Sequence, residues 1–370
     1  MWNITVDDVE SIAIGAGILG TGGGGNPYLG EIWMKSMLKQ GYSVNVIDLN
    51  ELHDDALVTD VGGMGAPTVG IEKLPHGLEP RWAVEALEGF IGKSIDAIIC
   101  AEIGGSNSIV PLIAGALTNK PVVDGDAMGR AFPEMQMSTH FIDGASCVPT
   151  AMADEKGNQI VFSHLTDSFA LEKFARDLCI LMGCRAEMAV SVMSGKQVKR
   201  SAVPRTMTLA KRVGDAVRRS RRTKEPVVDA VLDVTGGREI FAGKLIDVQR
   251  RTTGGFARGD LVAEGIGEYA GDWMHIAFQN ENLVAWRGDR HERREVVVCV
   301  PDLICLLETE TGEPITTEQL RYGLRVTMLG IPCTDKFRTE KALKVVGPSA
   351  FGYHDVTYNP MPKVPGQGIE

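Results

Sequence analysis

Apolar residues recur every three or four positions near the start of the chain, at Val9, Ile12, Ala13, Ala16 and Leu19. This spacing predicts a helix that ends in a glycine-rich stretch. Thr5 is placed to cap its N-terminus, and Asp8 gives it an acidic first turn. A second helix is predicted from Pro27 or Tyr28 to Gln40.

After the second helix the hydrophobic pattern changes to short β-branched or apolar runs, at Ser43–Asp48, Leu57–Val61, Ala97–Ala101 and Pro121–Val123. Helical pattern lies between some of them, near Pro80–Phe90 and Ser106–Leu117. The alternation predicts an α/β domain with a mostly parallel sheet covered by helices. Two further runs, Val148–Ala153 and Gln159–His164, indicate a β-hairpin.

The second half of the chain has a different pattern. Helices are predicted near residues 167–182 and 204–219, and short strands with tight turns follow from Glu239 to Val346. We therefore expect two domains: an α/β glycine-loop domain at 1–165, and a mostly β (α+β) domain at 166–346. The proline-rich tail, 347–370, is expected to lie as an extended strap and to join the first domain.

Glycine-rich loops are the most informative local feature. Gly22, Gly23, Gly24 and Gly25 are consecutive and are followed by Asn26. Such a run is either a flexible linker or backbone that must turn sharply against a ligand. Helical pattern on both sides favours the second reading, in which exposed N–H groups hold an anion or a developing oxyanion.

Three of the predicted strands also run directly into glycine. The loops that follow them are Gly62–Pro67, with Gly63 and Met64; Glu102–Asn107, with Gly104, Gly105 and Ser106; and Asp124–Asp126. In open α/β sheets, ligands bind outside the carboxyl ends of the strands. The pattern therefore predicts a small-molecule site at one edge of the sheet.

Gly15, Gly17 and Gly20 match the G-x-G-x-x-G fingerprint of dinucleotide-binding folds. That fingerprint requires a strand before it and a helix opening at it. Here it lies at the end of a predicted helix, so we reject a nicotinamide site.

The candidate acids and bases at the sheet edge are Glu102, Asp124 and Asp126. Crowded, poorly hydrated carboxylates can have a pKa high enough for acid or base catalysis, whereas aspartates in such positions also cap helices. Both readings stay open, with function favoured for Glu102 and Asp124. Asn107 and Ser106 either bind an amide or carbonyl or cap the following helix.

A second candidate group follows in Arg130, Glu134 and His140. Arg130 is either half of a structural ion pair or a clamp for a substrate carboxylate. Glu134 is its neighbouring carboxylate, and His140, in the strand-like Ser138–Ile142, is either catalytic or a core residue. A divalent metal held by His140 with the candidate acids stays open, although the spacing lacks His-x-x-x-His.

Composition narrows the function classes. The formal net charge of -10 argues against nucleic-acid and anionic-membrane binding. The seven cysteines include no C-x-x-C pair, and Cys147 is interpreted as structural. Ser106 lacks the G-x-S-x-G elbow of serine hydrolases. With neither a basic apolar leader nor a long apolar span, we expect a soluble, cytoplasmic protein, and a homo-oligomer by default.

The glycine and acidic motifs together resemble one family. The series is Leu19–Gly30, Gly62–Pro67, Glu102–Asn107 and Asp124–Glu134, continued by Phe278–Ala285, Pro301–Ile304, Thr309–Gly323 and Gly347–Tyr353. It looks like the S-methyl-thiohydantoin desulfurase family and spans essentially the whole chain. The resemblance implies replacement of the S-methyl group of a thiohydantoin by oxygen, and association with hydantoinase/oxoprolinase-type proteins.

The expected function is hydrolysis of a small five-membered cyclic amide, imide or S-methyl-thiohydantoin ring. A carboxylate, Glu102 or Asp124, would activate water, and the amides of Gly22–Gly25 and Gly104–Ser106 would stabilise the anion. The alternative is a non-catalytic ligand-binding or partner subunit of a hydantoinase-like complex.

Overall fold

The N-terminal part of the chain forms a nine-stranded sheet. A computed structural model describes residues 1–369, apart from the side chains of residues 67, 68 and 71. The strands are β1 (Trp2–Asn3), β2 (Asn45–Ile47), β3 (Leu57–Gly65), β4 (Ala97–Cys100), β5 (Val122–Asp126), β6 (Thr150–Ala153), β7 (Gln159–Phe162), β8 (Arg185–Ser194) and β9 (Val203–Pro204). Their order is β1-β2-β5-β4-β3-β8-β6-β7, with β9 paired to β5.

The centre of this sheet is parallel and its flanks are antiparallel. β2, β5, β4 and β3 pair in parallel, which confirms the predicted α/β domain. β8, β6 and β7 extend it antiparallel, and β6 with β7 forms the predicted hairpin. Because β8 and β9 follow residue 166, the first sheet continues beyond the boundary expected at 165.

Helices pack against the first sheet and against one another. They are α1 (Val6–Leu19), α2 (Tyr28–Lys39), α3 (Pro67–Glu72), α4 (Glu79–Ile91), α5 (Val110–Thr118), α6 (Thr139–Ile142), α7 (Ser168–Leu181), α8 (Gly195–Ser201), α9 (Thr206–Thr223), α10 (Val227–Thr235) and, near the C-terminus, α11 (Glu340–Val346). Each helix of the described chain is too short or too polar to span a membrane.

The G-x-G-x-x-G motif lies in α1, as its helical pattern indicates, and it serves packing. A Cβ on Gly15 would lie 1.9 Å from the carbonyl oxygen of Ala210 in α9. Reciprocally, a Cβ on Gly214 of α9 would lie 1.8 Å from the carbonyl oxygen of Ser11. These glycines let two helix backbones touch, which is a structural reason for the motif.

The second sheet is antiparallel throughout. Its strands are β10 (Arg238–Thr253), β11 (Phe256–Gly265), β12 (Trp273–Gln279), β13 (Glu281–Gly288), β14 (Arg293–Cys299), β15 (Leu303–Glu308) and β16 (Arg325–Ile331), in the order β14-β13-β12-β11-β10-β16-β15. Its two ends approach each other, because β15 contacts β13 and β14. The mostly β prediction for this region is confirmed.

The glycine-rich stretch after α1 joins the two sheets. The Thr21 hydroxyl donates a hydrogen bond to Ile304 O at 3.0 Å and accepts one from Ile304 N–H at 3.1 Å. Asn282 N–H donates to Thr21 O at 2.8 Å, and Thr317 N–H donates to Gly22 O at 2.7 Å. Backbone hydrogen bonds therefore fix the glycine-rich stretch after α1 to the part of the chain that forms the second sheet.

The C-terminal tail packs against both parts of the protein. Met361 lies in the core of the second sheet, and its N–H donates to Asp302 Oδ2 at 2.8 Å. Ile369 packs in the core that includes the first sheet, against the backbone of Gly129. The tail is thus a strap across the molecule rather than a segment of the first domain alone.

Candidate functional site

A cavity of about 490 Å³ lies at the carboxyl ends of β3 and β4, where the glycine loops meet. We call it the strand-end cavity. The residues predicted for the site that line it are Gly24, Gly25, Asn26, Gly63, Met64, Glu102, Ser106, Asn107 and Glu134. The predicted residues outside its lining are Gly22, Gly23, Gly104, Gly105, Asp124, Asp126, Arg130 and His140.

The four-glycine loop and the Gly104-Gly105 loop interlock without side chains between them. A Cβ on Gly24 would lie 2.4 Å from Gly104 O, and one on Gly105 would lie 2.3 Å from Gly24 O. Gly24 and Gly105 also have φ values of +71° and +69°, which favour glycine. Ser106 N–H and its hydroxyl both donate to Gly24 O at 2.9 Å. These glycines hold the wall of the cavity in place.

Glu102 follows β4, and among the three acids expected at the sheet edge it is the one that lines the strand-end cavity. Its Oε1 accepts a hydrogen bond from Asn107 Nδ2 at 2.7 Å, and its Oε2 accepts one from Phe132 N–H at 3.0 Å. Burial raises its pKa to about 7, against these hydrogen bonds and the charge of Arg130, which lower it. At neutral pH the carboxyl is therefore present in both protonation states.

Asn107 ties Glu102 to the end of β3. Its Oδ1 accepts a hydrogen bond from Gly63 N–H at 2.7 Å, and its Nδ2 donates to Gly63 O at 3.1 Å as well as to Glu102. The amide therefore works as a bridge between two strand ends. Helix capping, the alternative considered for it, is not what its side chain does.

Glu281 is a site residue that the sequence reasoning missed. It opens β13 of the second sheet, and its Oε1 accepts a hydrogen bond from Gly24 N–H at 3.1 Å. A Cβ on Gly23 would lie 1.9 Å from that oxygen, so Gly23 makes room for the carboxyl. Burial raises the pKa of Glu281 well above its ordinary value, and the charge of Glu102 raises it further. The available signal was its position in the polar turn Gln279–Asn282 between two apolar strands.

Arg130 is buried behind these two carboxyls and does not reach the cavity. Its guanidinium donates to the carbonyl oxygens of Ala131 at 2.9 Å, Pro301 at 2.8 Å and Asp302 at 3.0 Å. Burial lowers its pKa to about 10, and the nearby charge of Glu281 opposes that shift. The structure therefore gives Arg130 a role in joining the two sheets and balancing charge, in place of a substrate clamp.

Asp124 and Asp126 hold backbone rather than facing the cavity. Asp124 accepts hydrogen bonds from the N–H of Thr208, at 3.1 Å, and from its hydroxyl, so it caps the first turn of α9. Asp126 accepts hydrogen bonds from Ile103 N–H at 2.7 Å and Gly129 N–H at 2.8 Å. Burial raises the pKa of both, that of Asp126 to about 7. Their role is to fix the loops that carry the cavity.

His140 is completely buried and lies in α6 rather than in the expected strand. Ser138 caps that helix, since its hydroxyl accepts the His140 N–H at 3.1 Å. Nδ1 of His140 contacts Ser201 Oγ at 2.6 Å, and Nε2 lies 3.3 Å from Asp60 Oδ1. Asp60 lines the cavity, so His140 stands behind the lining and supports it. Sequence periodicity alone could not show that contact.

The remaining predicted residues have local partners. Glu134 lines the cavity and accepts hydrogen bonds from Gln136 and, at 3.4 Å, from Gln279 of the second sheet. Cys147 is a buried free thiol in an apolar cluster, and burial raises its pKa.

Among the described residues, no three or more His, Cys, Asp and Glu side chains form a group that could hold a metal ion.

The rest of the lining is apolar with a few charged groups. Apolar walls come from Trp33 of α2, from Val110 and Ile113 of α5, and from Met188 and Val190 of β8. The additional charged residues, absent from the sequence prediction, are Asp60, Arg176, Arg185 and Glu187. An apolar cavity with a few converging polar groups is typical of small-molecule sites.

Two domain models of one protein family match nearly the whole chain. The model of the S-Me-THD-like N-terminal domain matches residues 7–164, and that of the S-Me-THD-like C-terminal domain matches residues 166–361. No curated protein matches the chain. A crystal structure of a protein from Chromobacterium violaceum is similar, with 23% identity and a TM-score of 0.81 over 98% of this chain and 100% of that one. This similarity supports the two-part fold.

Proposed function

The chain belongs to the S-Me-THD-like family, and on that premise we propose that it hydrolyses a small five-membered ring of the cyclic amide, imide or S-methyl-thiohydantoin type. The observation that carries the proposal is the pair of buried carboxyls, Glu102 and Glu281, in one cavity of about 490 Å³. Each comes from a different sheet, and each is held by hydrogen bonds from backbone or amide groups.

The two carboxyls are suited to opposite roles. Glu102 has a pKa of about 7, so a large share of it is a carboxylate near neutral pH and can accept a proton from water. Burial, and then the charge of Glu102, raise the pKa of Glu281 well above its ordinary value, which favours the protonated form that can act as an acid. Two neighbouring titratable groups whose environments give them different pKa values are typical of an acid–base pair.

For a thioimidate ring the proposed steps balance as follows. Glu102 takes a proton from water as the oxygen bonds to the ring carbon, and Glu281 gives its proton to the ring nitrogen. The hydroxyl of the tetrahedral intermediate then gives its proton to Glu281, and Glu102 gives its proton to the departing sulfur. The C–S bond breaks, a C=O bond forms, and methanethiol leaves. Water and substrate become a hydantoin and methanethiol, and both carboxyls return to their starting states.

Three of the loop amides expected to stabilise the anion already donate hydrogen bonds within the protein. Gly23 N–H donates to Gly20 O at 2.8 Å, Gly24 N–H donates to Glu281, and Ser106 N–H donates to Gly24 O. These donors are occupied in holding the loops. The stabilisation of developing charge is therefore assigned chiefly to the proton of Glu281.

The test is turnover of S-methyl-thiohydantoins, hydantoins and oxoproline-like lactams by the purified chain. Glu102→Gln and Glu281→Gln should each reduce kcat by about 10² to 10⁴, since each removes one proton-transfer group. Glu85→Gln, an exposed glutamate paired with Arg81 in α4, is the matched control and should keep full activity. Full turnover by both cavity variants would overturn the assignment, and tight binding without turnover would favour a non-catalytic partner subunit.

A further inference from the structure

We propose that Glu187 is a specificity residue that binds a cationic nitrogen group, such as an ammonium or guanidinium, on the ring substituent of the substrate. The inference deepens the proposed function and rests on it for the ring. It concerns the part of the strand-end cavity beside β8, which the acid–base pair does not use.

The Glu187 carboxyl has one oxygen that can accept a hydrogen bond from a ligand. Its side chain is 5% exposed and lines the cavity, and its Oε2 is buried without a hydrogen-bond partner among the described residues. The nearest cation is Arg185, whose Nη2 lies 3.4 Å from Oε1. A buried carboxylate oxygen without a donor is costly, and a ligand N–H group would remove that cost.

The backbone reserves space for this carboxyl. Gly63 pairs with Glu187 across β3 and β8, and a Cβ at Gly63 would lie 2.9 Å from Glu187 Oε2. Gly63 is also the residue whose N–H and carbonyl oxygen bond Asn107, the side chain that donates to Glu102. Glu187 is therefore connected to the proposed base through Gly63 and Asn107, and both carboxyls line the same cavity.

The charges of the lining favour a cation over an anion. Five acidic side chains line the cavity, Asp60, Glu102, Glu134, Glu187 and Glu281, against two arginines, Arg176 and Arg185. Even with Glu281 protonated, as the proposed mechanism requires, the acidic groups outnumber the arginines.

Both arginines are already engaged by the protein. Arg176 bonds Glu172 at 2.7 Å and Pro133 O at 2.9 Å, and Arg185 donates to Gly70 O at 3.0 Å. A substrate carboxylate would meet few free donors and several like charges.

Aromatic side chains support the same class of ligand. Trp33 and Tyr28 of α2 line this cavity, and aromatic faces attract desolvated cations. Val110 and Ile113 of α5 provide apolar surface for the methylene groups of a substituent. The predicted ligand is therefore a ring with an alkyl arm that ends in a nitrogen cation.

The test uses three hydantoins that differ only at the end of a four-atom arm: aminobutyl, butyl and carboxypropyl. Their dissociation constants are measured by calorimetry for the wild-type chain, for Glu187→Gln and for the control Glu85→Gln. The wild type and the control should bind the aminobutyl compound at least about tenfold tighter than the butyl and carboxypropyl compounds. In Glu187→Gln that preference should fall to about twofold or less, with butyl binding unchanged.

The outcomes separate this proposal from the proposed function. Equal binding of all three compounds by the wild type, tighter binding of the carboxylate, or an unchanged preference in folded Glu187→Gln overturns the role of Glu187. The charge preference without turnover of any ring supports Glu187 and counts against the hydrolase. Binding of none of the rings overturns both. Should Glu187→Gln unfold, Gly63→Ala displaces the same carboxyl and should weaken the same preference.

Discussion

Glu281 Oε1 accepts a hydrogen bond from Gly24 N–H at 3.1 Å, although the two residues lie 257 positions apart in the chain. The carboxyl comes from the antiparallel sheet and the amide from the glycine loop after α1. This bond holds the second carboxyl of the proposed acid–base pair, while Asn107 and Phe132 fix Glu102 at the end of β4.

Gly23→Ala should disable the site by displacing Glu281. Its Cβ would lie 1.9 Å from Glu281 Oε1, so the carboxyl must move away from Gly24. We expect kcat/KM to fall by at least about tenfold, equivalent to about 1.4 kcal/mol. The measurement is steady-state kinetics on whichever ring the wild type turns over, and unchanged kinetics would contradict the placement of Glu281.

Gly89→Ala provides the matched control for that substitution. Gly89 lies on the exposed side of α4, and a Cβ there meets nothing within 4 Å. Alanine should raise the free energy of unfolding by about 0.5–1 kcal/mol, because glycine is the poorer helix former. Denaturant titration measures the gain, and activity should stay at the wild-type level.

The rate should rise with pH through the pKa of Glu102. A general base acts as the carboxylate, so kcat/KM should increase from pH 5 and level off above about 7, the pKa of this carboxyl. The alkaline limb should fall as Glu281, the proposed acid, loses its proton. A pH profile without an acid limb near 7 would remove Glu102 from the role of base.

Glu102 should also make folding less favourable as pH rises. Its pKa is about 7 in the folded protein and 4.5 in the reference state, so the folded form binds the proton more tightly. Its contribution to stability is complete below about pH 4.5 and is lost as pH rises towards 7, by up to about 3 kcal/mol. Free energies of unfolding at pH 5 and pH 8 should differ more for the wild type than for Glu102→Gln. Equal differences would argue against the raised pKa.

Asp124→Ala should affect stability rather than catalysis. The carboxylate accepts hydrogen bonds from the N–H and hydroxyl of Thr208 and caps α9, so its loss should cost about 1–2 kcal/mol. We expect kcat/KM to stay within about threefold of the wild type when measured well below the melting temperature. A large loss of kcat in a folded variant would restore Asp124 as a candidate base.

The sequence was most informative where local pattern decides the structure. Short β-branched runs separated by helical pattern located the parallel centre of the first sheet, and glycines after the strands located the cavity. Glu102 was identified because it ends an apolar strand directly. Asp124 ends one in the same way, and only the position of Thr208 in the folded protein reveals it as a cap.

Roles that depend on contacts between distant parts of the chain could not be predicted from the local sequence pattern. Glu281 lies in a turn of the other sheet, and its burial beside Gly24 follows from the docking of the two sheets. Glu187 is an acid within an apolar strand, with no periodic signal to mark it. The apolar pattern of Ser138–Ile142 indicates a strand at His140, whereas the Ser138 cap starts the short helix α6 there.

The bonds that join Thr21 and Gly22 to Asn282 and Thr317 have a consequence for biosynthesis. During translation the glycine loop, β3 and β4 emerge long before the turn that carries Glu281. Contacts over such long sequence separations form late and slowly. An incomplete chain thus contains Glu102 without Glu281, and the proposed activity can begin only when the second half of the polypeptide has docked.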